Sequence, residues 1–406
     1  MGTASPREDR NVGTASPRAP LLKLKLSTAD SGLVEYSVRE PTVFAKPSKA
    51  FTRKALGAAH VVADPHSAKD PWLDAAVDWD KTIAYRRHLW SYGLGVAEAM
   101  DTSQRGMGLD WPNALELIRR SVDAARDFPG AVVASGAGTD HLVPRAEVTV
   151  AEVIAAYEEQ CTAIEKLGGR IILMASRALA ACAKSPDDYA KVYDRILCQV
   201  KEPVIIHWLG EMFDPALEGY WGKNDHYAAM DVCLDVLNRN AGKVDGIKIS
   251  LLDKDKEIAM RRRLPKGVVM YTGDDFNFAE LIEGDAQGHS EALLGIFDSI
   301  APAASAALTA LAEGDQAAYH AILAPTVPLS RHMFCAPTRF YKTGVVFMAW
   351  LNGHQDHFVM VGGQQSARSI LHLSELFRLA DAAGLLADPA LACKRMKALL
   401  SVHGIG

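Results

Sequence analysis

From about residue 57 the chain alternates short apolar runs with longer amphipathic stretches. The runs are AAHVVAD, LGVAEAM, GAVVASG, GRIILMA, EPVIIHW, VDGIKIS, GVVMYTG and DAQGHS. Between them lie segments such as NALELIRRSVDAARDF, VAEVIAAYEEQCTAIEKL and DYAKVYDRILCQV, whose apolar residues recur at helical spacing. Near-continuous apolar strands separated by helices predict a parallel sheet covered on both faces. Eight such units over roughly 240 residues predict an α/β chain closed into a (β/α)8 TIM barrel, with a doubly wound open sheet as the competitor. Upstream, LLKLKLS and GLVEYSV alternate apolar with polar positions on either side of TADSG, the pattern of a β-hairpin with one buried face. The last hundred residues are rich in Ala and Leu at helical spacing, as in SARSILHLSELFRLADAAGLL. The expected organisation is a tail over 1–20, an N-terminal β-hairpin arm over 21–56, the barrel over 57–312 and a C-terminal helical extension over 313–406.

The tail carries GTASPR twice, at Gly2–Arg7 and Gly13–Arg18, in a stretch of Pro, Ser, Gly and charge that cannot bury a core. A duplicated start, a leftover of cloning and a natural floppy tail all fit. The 406 residues are 49% apolar and 23% charged, as in globular chains, so a large core is expected without staples. With 44 Lys plus Arg against 49 Asp plus Glu, the net charge of -5 gives no field that favours nucleic acid or an anionic membrane. No apolar run reaches about 18 residues and the start has no signal-peptide core, so the protein is expected to be cytoplasmic. The six cysteines, Cys161, Cys182, Cys198, Cys233, Cys335 and Cys393, never form CxxC and read as buried structural thiols.

In a barrel of this kind the chemistry lies at the carboxyl ends of the strands. Lys248, inside VDGIKIS, is an amine in an apolar strand. Either it pairs with a carboxylate at the mouth, or desolvation lowers its pKa and frees it to attack a ketone or aldehyde as a Schiff-base nucleophile. His207 ends the preceding run and is either a proton carrier for the same pocket or a satisfied rim histidine. After the second run, Thr102, Ser103 and Gln104 offer a cradle for a carboxylate. After the third, Gly136 and Gly138 permit close backbone approach beside Asp140 and His141. Gly273 and Asp274 follow the seventh run and Ser290 closes the eighth, so all three are expected to line the mouth. The pair Asp274 and Asp275 could bind a metal or hydroxyls, or cap the next helix. HQDH at His354–His357 reads as a turn, with no third ligand placed by its spacing, and no obligatory metal or cofactor is expected.

In their order these pieces resemble the dihydrodipicolinate synthase and N-acetylneuraminate lyase family of class I aldolases, over roughly residues 57 to 400. VDGIKIS is similar to the family's sixth-strand Gly-Ile-Lys segment, which implies Lys248 as the Schiff-base lysine. GVVMYTGDD followed by AELIEGDAQG and HSEALLGIF is similar to its seventh and eighth strands, and SAALTALAEGDQAAYHAIL with FYKTGVVFMAWLNG is similar to its helical tail. The family's Gly-Thr-Thr-Gly-Glu loop is represented by Asp101-Thr102-Ser103-Gln104-Arg105. His207 stands where the family has a fifth-strand tyrosine, and MASRALAA replaces its Pro-Tyr-Tyr stretch. The resemblance therefore implies a divergent homo-oligomeric lyase, a dimer or tetramer, acting on a 2-oxo acid or keto sugar acid through an imine on Lys248. His207 would serve as general acid and base, with Thr102 and Ser103 on the carboxylate. The alternative is a metal-dependent sugar or sugar-phosphate isomerase or epimerase on the same barrel, with Asp140, His141, His207 and Asp274 as ligands.

Overall fold

The structure, a computed structural model, describes residues 22–30 and 32–405; the expected tail and its repeated GTASPR lie outside the described residues. Two strands, β1 (Lys23–Thr28) and β2 (Gly32–Ser37), pair antiparallel as the predicted hairpin. Leu24 and Leu26 on its buried face pack on the last two helices of the chain, Ile370–Ala382 and Pro389–Val402.

Eight parallel strands then close a barrel: β3 (Ala55–Ala58), β4 (Gly95–Glu98), β5 (Val133–Ala137), β6 (Arg170–Met174), β7 (Val204–Leu209), β8 (Val244–Ser250), β9 (Val269–Thr272) and β10 (Glu291–Leu294). Helices cover its outer face, starting with Trp79–Ser91, Trp111–Arg126 and Val150–Lys166. The (β/α)8 TIM barrel read from the apolar runs is the observed fold.

Two runs are displaced from the expectation. The first barrel strand is Ala55–Ala58, ahead of most of AAHVVAD. Val61, Val62 and Ala63 are buried in the loop that follows, where an isolated antiparallel bridge joins Ala63 to Val77, so their apolar character reflects burial outside the barrel strand. The eighth strand is EALL; DAQGHS is the turn before it, with an isolated bridge between Asp285 and Gly288 and Gly284 at φ +86°.

Period-2 alternation sorts each strand's side chains between the lumen and the helices. In β7, Ile206 and Trp208 pack outward against the helices while Ile205 joins the barrel interior with Leu56, Ala97, Ile172 and Leu293. His207 is therefore on the lumen face. In β8, Ile247 and Ile249 point outward, which leaves Lys248 and Ser250 facing inward.

The C-terminal extension begins after the helix Ala301–Glu313 and packs across the barrel. Its central helix, Tyr341–Leu351, is buried at every position, Lys342 included. Of the six free cysteines, Cys161, Cys182, Cys233 and Cys393 are buried as expected; Cys198 is exposed and Cys335 half-buried, because both fall on the outer sides of their helices or turns. Among the described residues no helix is long and apolar enough to cross a membrane.

Candidate active site

The register pairs His207 directly with Lys248 across neighbouring strands, so the two side chains share one level of the lumen. Lys248 is 7% exposed, and among the described residues no hydrogen bond or ion pair within 4 Å engages its Nζ. Burial pulls its pKa down, opposed by the nearby carboxylates of Asp275 and Asp101. Asp275, fully enclosed after β9, is pushed up by burial, while its Oδ1 accepts the Ile296 N–H at 2.8 Å. The pair therefore loses much of the cost of a neutral amine beside a carboxyl. Burial and the neighbouring Lys248 hold the His207 imidazole well below its usual range, hence neutral, and its Nε2 lies 3.1 Å from the Ser250 hydroxyl.

Gly273, just past the end of the neighbouring strand β9, makes room for it. A Cβ there would meet the Lys248 Cε at 2.7 Å and the Ile249 carbonyl at 2.5 Å, and would collide with the Ser250 Oγ. Its predicted place at the mouth is thus a steric one. Asp274 turns away: its Oδ1 accepts the N–H groups of Phe276 and Asn277 and its Oδ2 the Asn277 amide, which makes it a cap for the following turn. Ser290 precedes β10, donates to Glu257 at 2.7 Å and accepts from Arg261, both on the helix Lys254–Arg261. Its side chain faces that helix and not the mouth, because the eighth strand starts one residue later than the expected run ends.

The turn after β4 is built differently from a simple cradle. Thr102 shares a 2.7 Å hydrogen bond with the Tyr341 hydroxyl, and Ser103 donates to the Ala59 carbonyl at 2.6 Å. Both hydroxyls are thus engaged inside the protein. Ala99 and Gln104 flank this turn in the left-handed region, at φ +50° and +66°, a conformation that costs non-glycine residues roughly 1–3 kcal/mol each. Arg105 closes it. Its guanidinium donates to the Ala99 and Gly136 carbonyls, each at 3.1 Å, to Gln160 at 2.9 Å and to Asp140 through two bonds.

Asp140 is held low, at about 2; burial opposes the shift, and hydrogen bonds and the charge of Arg105 overcome it. It reaches the cavity wall, but as half of this pair. His141 turns to the helix behind, with Gln160 at 2.8 Å and Glu159 at 3.4 Å. The ligand set imagined for a metal therefore does not assemble: Asp140 is committed to Arg105, His141 to Gln160 and Asp274 to its turn. Among the described residues no group of three or more His, Cys, Asp or Glu is placed to hold a metal ion. In HQDH, the His354 ring packs tilted against that of His88, with centroids 4.3 Å apart, and the segment is a bend outside any helix or strand.

Above His207 opens a cavity of about 550 Å³. His207, Asp101, Arg105 and Asp140 line it together with Arg177 and Asp214, which form an ion pair, and with Arg339, Phe340 and Gln364 of the C-terminal extension. Lys248 does not itself line this cavity, but its register partner His207 does. The extension supplies three groups that the apolar pattern did not single out. Lys342 is 1% exposed and pairs with Asp101 at 2.9 Å. Tyr341 reaches Thr102, with its hydroxyl pushed far up by burial. Arg339 faces the cavity from the turn before them. The legible signal was FYKTGVVFMAW, a tyrosine, a lysine and a threonine opening an otherwise apolar helix, which needs buried partners for them.

The profile of a family described as "Protein of unknown function (DUF993)" matches residues 24–405. No curated protein matches the sequence. Among solved structures, a prophage protein of the dihydrodipicolinic acid synthase family from E. coli, in complex with pyruvate, superposes with a TM-score of 0.63 at 14% identity, covering 83% of this chain and 100% of its own. Dihydrodipicolinate synthase from Aquifex aeolicus gives 0.62 at 12% identity, covering 82% and 99%. The chloride-inhibited enzyme from Acinetobacter baumannii, complexed with pyruvate, gives 0.58 at 16% identity, covering 82% and 99%. At such identities the likeness is one of fold.

Proposed function

The chain belongs to the DUF993 family, and we propose that it is a Schiff-base-forming lyase, an aldolase or dehydratase, acting on a 2-oxo acid or keto sugar acid through Lys248. One observation carries the reading: a lysine on the lumen face of the sixth barrel strand, nearly enclosed, engaged by no hydrogen bond or ion pair among the described residues, and paired in register with a neutral histidine. The same arrangement of fold in structures of dihydrodipicolinate synthase and of a prophage protein of its family, both in complex with pyruvate, supports it.

In this reading the Lys248 amine gives its proton to the local carboxylates and attacks the substrate's carbonyl carbon. The carbinolamine then expels water, and the iminium accepts the electron pair of a bond to the adjacent carbon: a carbon–carbon bond in cleavage, or a carbon–hydrogen bond in dehydration, whose enamine then expels a protonated hydroxyl from the next carbon as water. His207, neutral and held by Ser250, takes or returns the proton that this step moves. Asp275, with its raised pKa, holds a proton close to the amine and releases it when the iminium forms. No metal and no separate cofactor takes part, since the imine itself is the electron sink.

Incubation with pyruvate and sodium borohydride tests the proposal. Hydride adds to the imine carbon and leaves a stable secondary amine. A mass increase confined to the peptide containing Lys248, absent in Lys248→Ala, is the expected result. No modification with pyruvate or with longer 2-oxo acids would remove the lyase reading.

A further inference from the structure

Resting on the Schiff-base reading, we infer that the substrate is a 2-oxo acid longer than pyruvate that carries a second anionic group, received at the cavity wall by Arg177 and Arg339. Size is the first observation. The cavity of about 550 Å³ falls within the roughly 300–1,000 Å³ range of sites that enclose drug-sized ligands, and a three-carbon acid leaves most of it empty.

Charge is the second. Arg105 has no free direction, since carbonyls, Gln160 and Asp140 take its donors. Lys342 is likewise consumed, by Asp101, by the Arg339 carbonyl at 2.9 Å and by the Met107 sulfur. Arg177 differs: among the described residues only its Nε is bonded, to Asp214, and its terminal nitrogens lie against Gly106, where any side chain would strike them. Arg339 differs further. It stacks on Phe340 at 4.9 Å, and among the described residues no carboxylate lies within 4 Å of it.

Three cations, Arg177 and Arg339 on this wall and the buried Lys342 that pairs with Asp101, are set against two wall carboxylates, Asp101 and Asp214. The surplus charge and the unused guanidinium N–H groups suit an anion with two or three oxygens, a carboxylate or a phosphoryl group, which a guanidinium fork grips through parallel hydrogen bonds. The two arginines come from different parts of the chain, one from the helix after β6 and one from the C-terminal extension. The extension would thus set which substrates fit, while the barrel strands carry the chemistry.

The test compares acids of equal length with and without the second charge: 2-oxoglutarate against 2-oxopentanoate, and 2-oxoadipate against 2-oxohexanoate. The readout is the concentration that gives half-maximal borohydride trapping. The charged member of at least one pair should need about tenfold less, the effect of one or two hydrogen bonds between ions. In Arg339→Gln, an exposed substitution, that preference should shrink to about threefold or less, and in Arg177→Gln/Arg339→Gln to parity. Competition by inorganic phosphate better than by malonate assigns a phosphoryl group, and the reverse a carboxylate. Equal half-maximal concentrations in both pairs, while pyruvate is trapped on Lys248, would overturn the inference and leave the lyase reading standing. If no acid is trapped the lyase reading falls instead, and calorimetric binding of the same pairs to Lys248→Ala still decides whether the wall prefers the second charge.

Discussion

Replacing Gly273 by alanine puts a methyl group into space that is already filled. Carbon contacts are most favourable at about 3.5–4.0 Å. The new Cβ would lie 2.7 Å from the Lys248 Cε and 2.5 Å from the Ile249 carbonyl oxygen, about 1 Å short in each case. The Ser250 hydroxyl can rotate away. The Ile249 carbonyl cannot, because it accepts the Gly273 N–H itself at 2.9 Å. The lysine stem must therefore yield. Overpacking of this kind costs about 1–3 kcal/mol, which urea denaturation reads as a lowered midpoint at unchanged slope. The effect on chemistry is larger, since a displacement of about 1 Å at a reacting group costs on the order of a hundredfold in rate. Reductive trapping with pyruvate should slow by at least about tenfold, with the stability loss held to the smaller range. Gly242→Ala is the control: nothing lies within 4 Å of its Cβ, and both measurements should stay at wild type. Wild-type trapping by Gly273→Ala would refute the packing of the Lys248 side chain against Gly273.

Three further outcomes follow from the same geometry. His207→Ala should lower steady-state turnover by about 10² to 10⁴ while imine trapping partly survives; equal turnover in the two proteins removes His207 from the mechanism. Lys342→Met strands Asp101 beside Lys248 and should cost about 3–5 kcal/mol in urea denaturation, with Asp101→Asn/Lys342→Met recovering more than about 1 kcal/mol; a single variant within about 0.5 kcal/mol of wild type contradicts the buried pair. His354 sits at about 3, lowered first by burial and then by His88 and His60, so the folded protein resists protonating it. Its contribution is whole above the unfolded value near 6.5 and declines as pH falls below that value, reaching about 2 kcal/mol lost at pH 5. In His354→Asn the loss of stability between pH 7 and pH 5 should shrink by about that amount; an unchanged loss refutes a buried neutral imidazole.

The barrel was legible because its strands are buried on both faces and their apolar runs stand out between amphipathic helices. VDGIKIS coincides with β8 residue for residue, and the alternation within it already aims Lys248 inward. Where apolar character had another cause, the pattern misled: Val61 and Val62 are buried loop residues, and the glycines of EGDAQG make a turn. Polar residues at strand ends were legible as a group but not in their partners. Asp140 and His141 follow the same strand, yet one meets Arg105 and the other Gln160, because contacts across the mouth depend on loops whose course no periodicity encodes. The meeting of Asp101 with Lys342 spans 241 positions of sequence. Only the docking of the C-terminal extension on the barrel creates it.

A crystal structure of the protein soaked with pyruvate and cyanoborohydride tests the central claim most directly. Continuous density from the Nζ of Lys248 to the second carbon of the acid, with His207 within hydrogen-bonding reach of the adduct, is the predicted result. Pyruvate bound elsewhere in the cavity beside an unmodified Lys248 amine would contradict it.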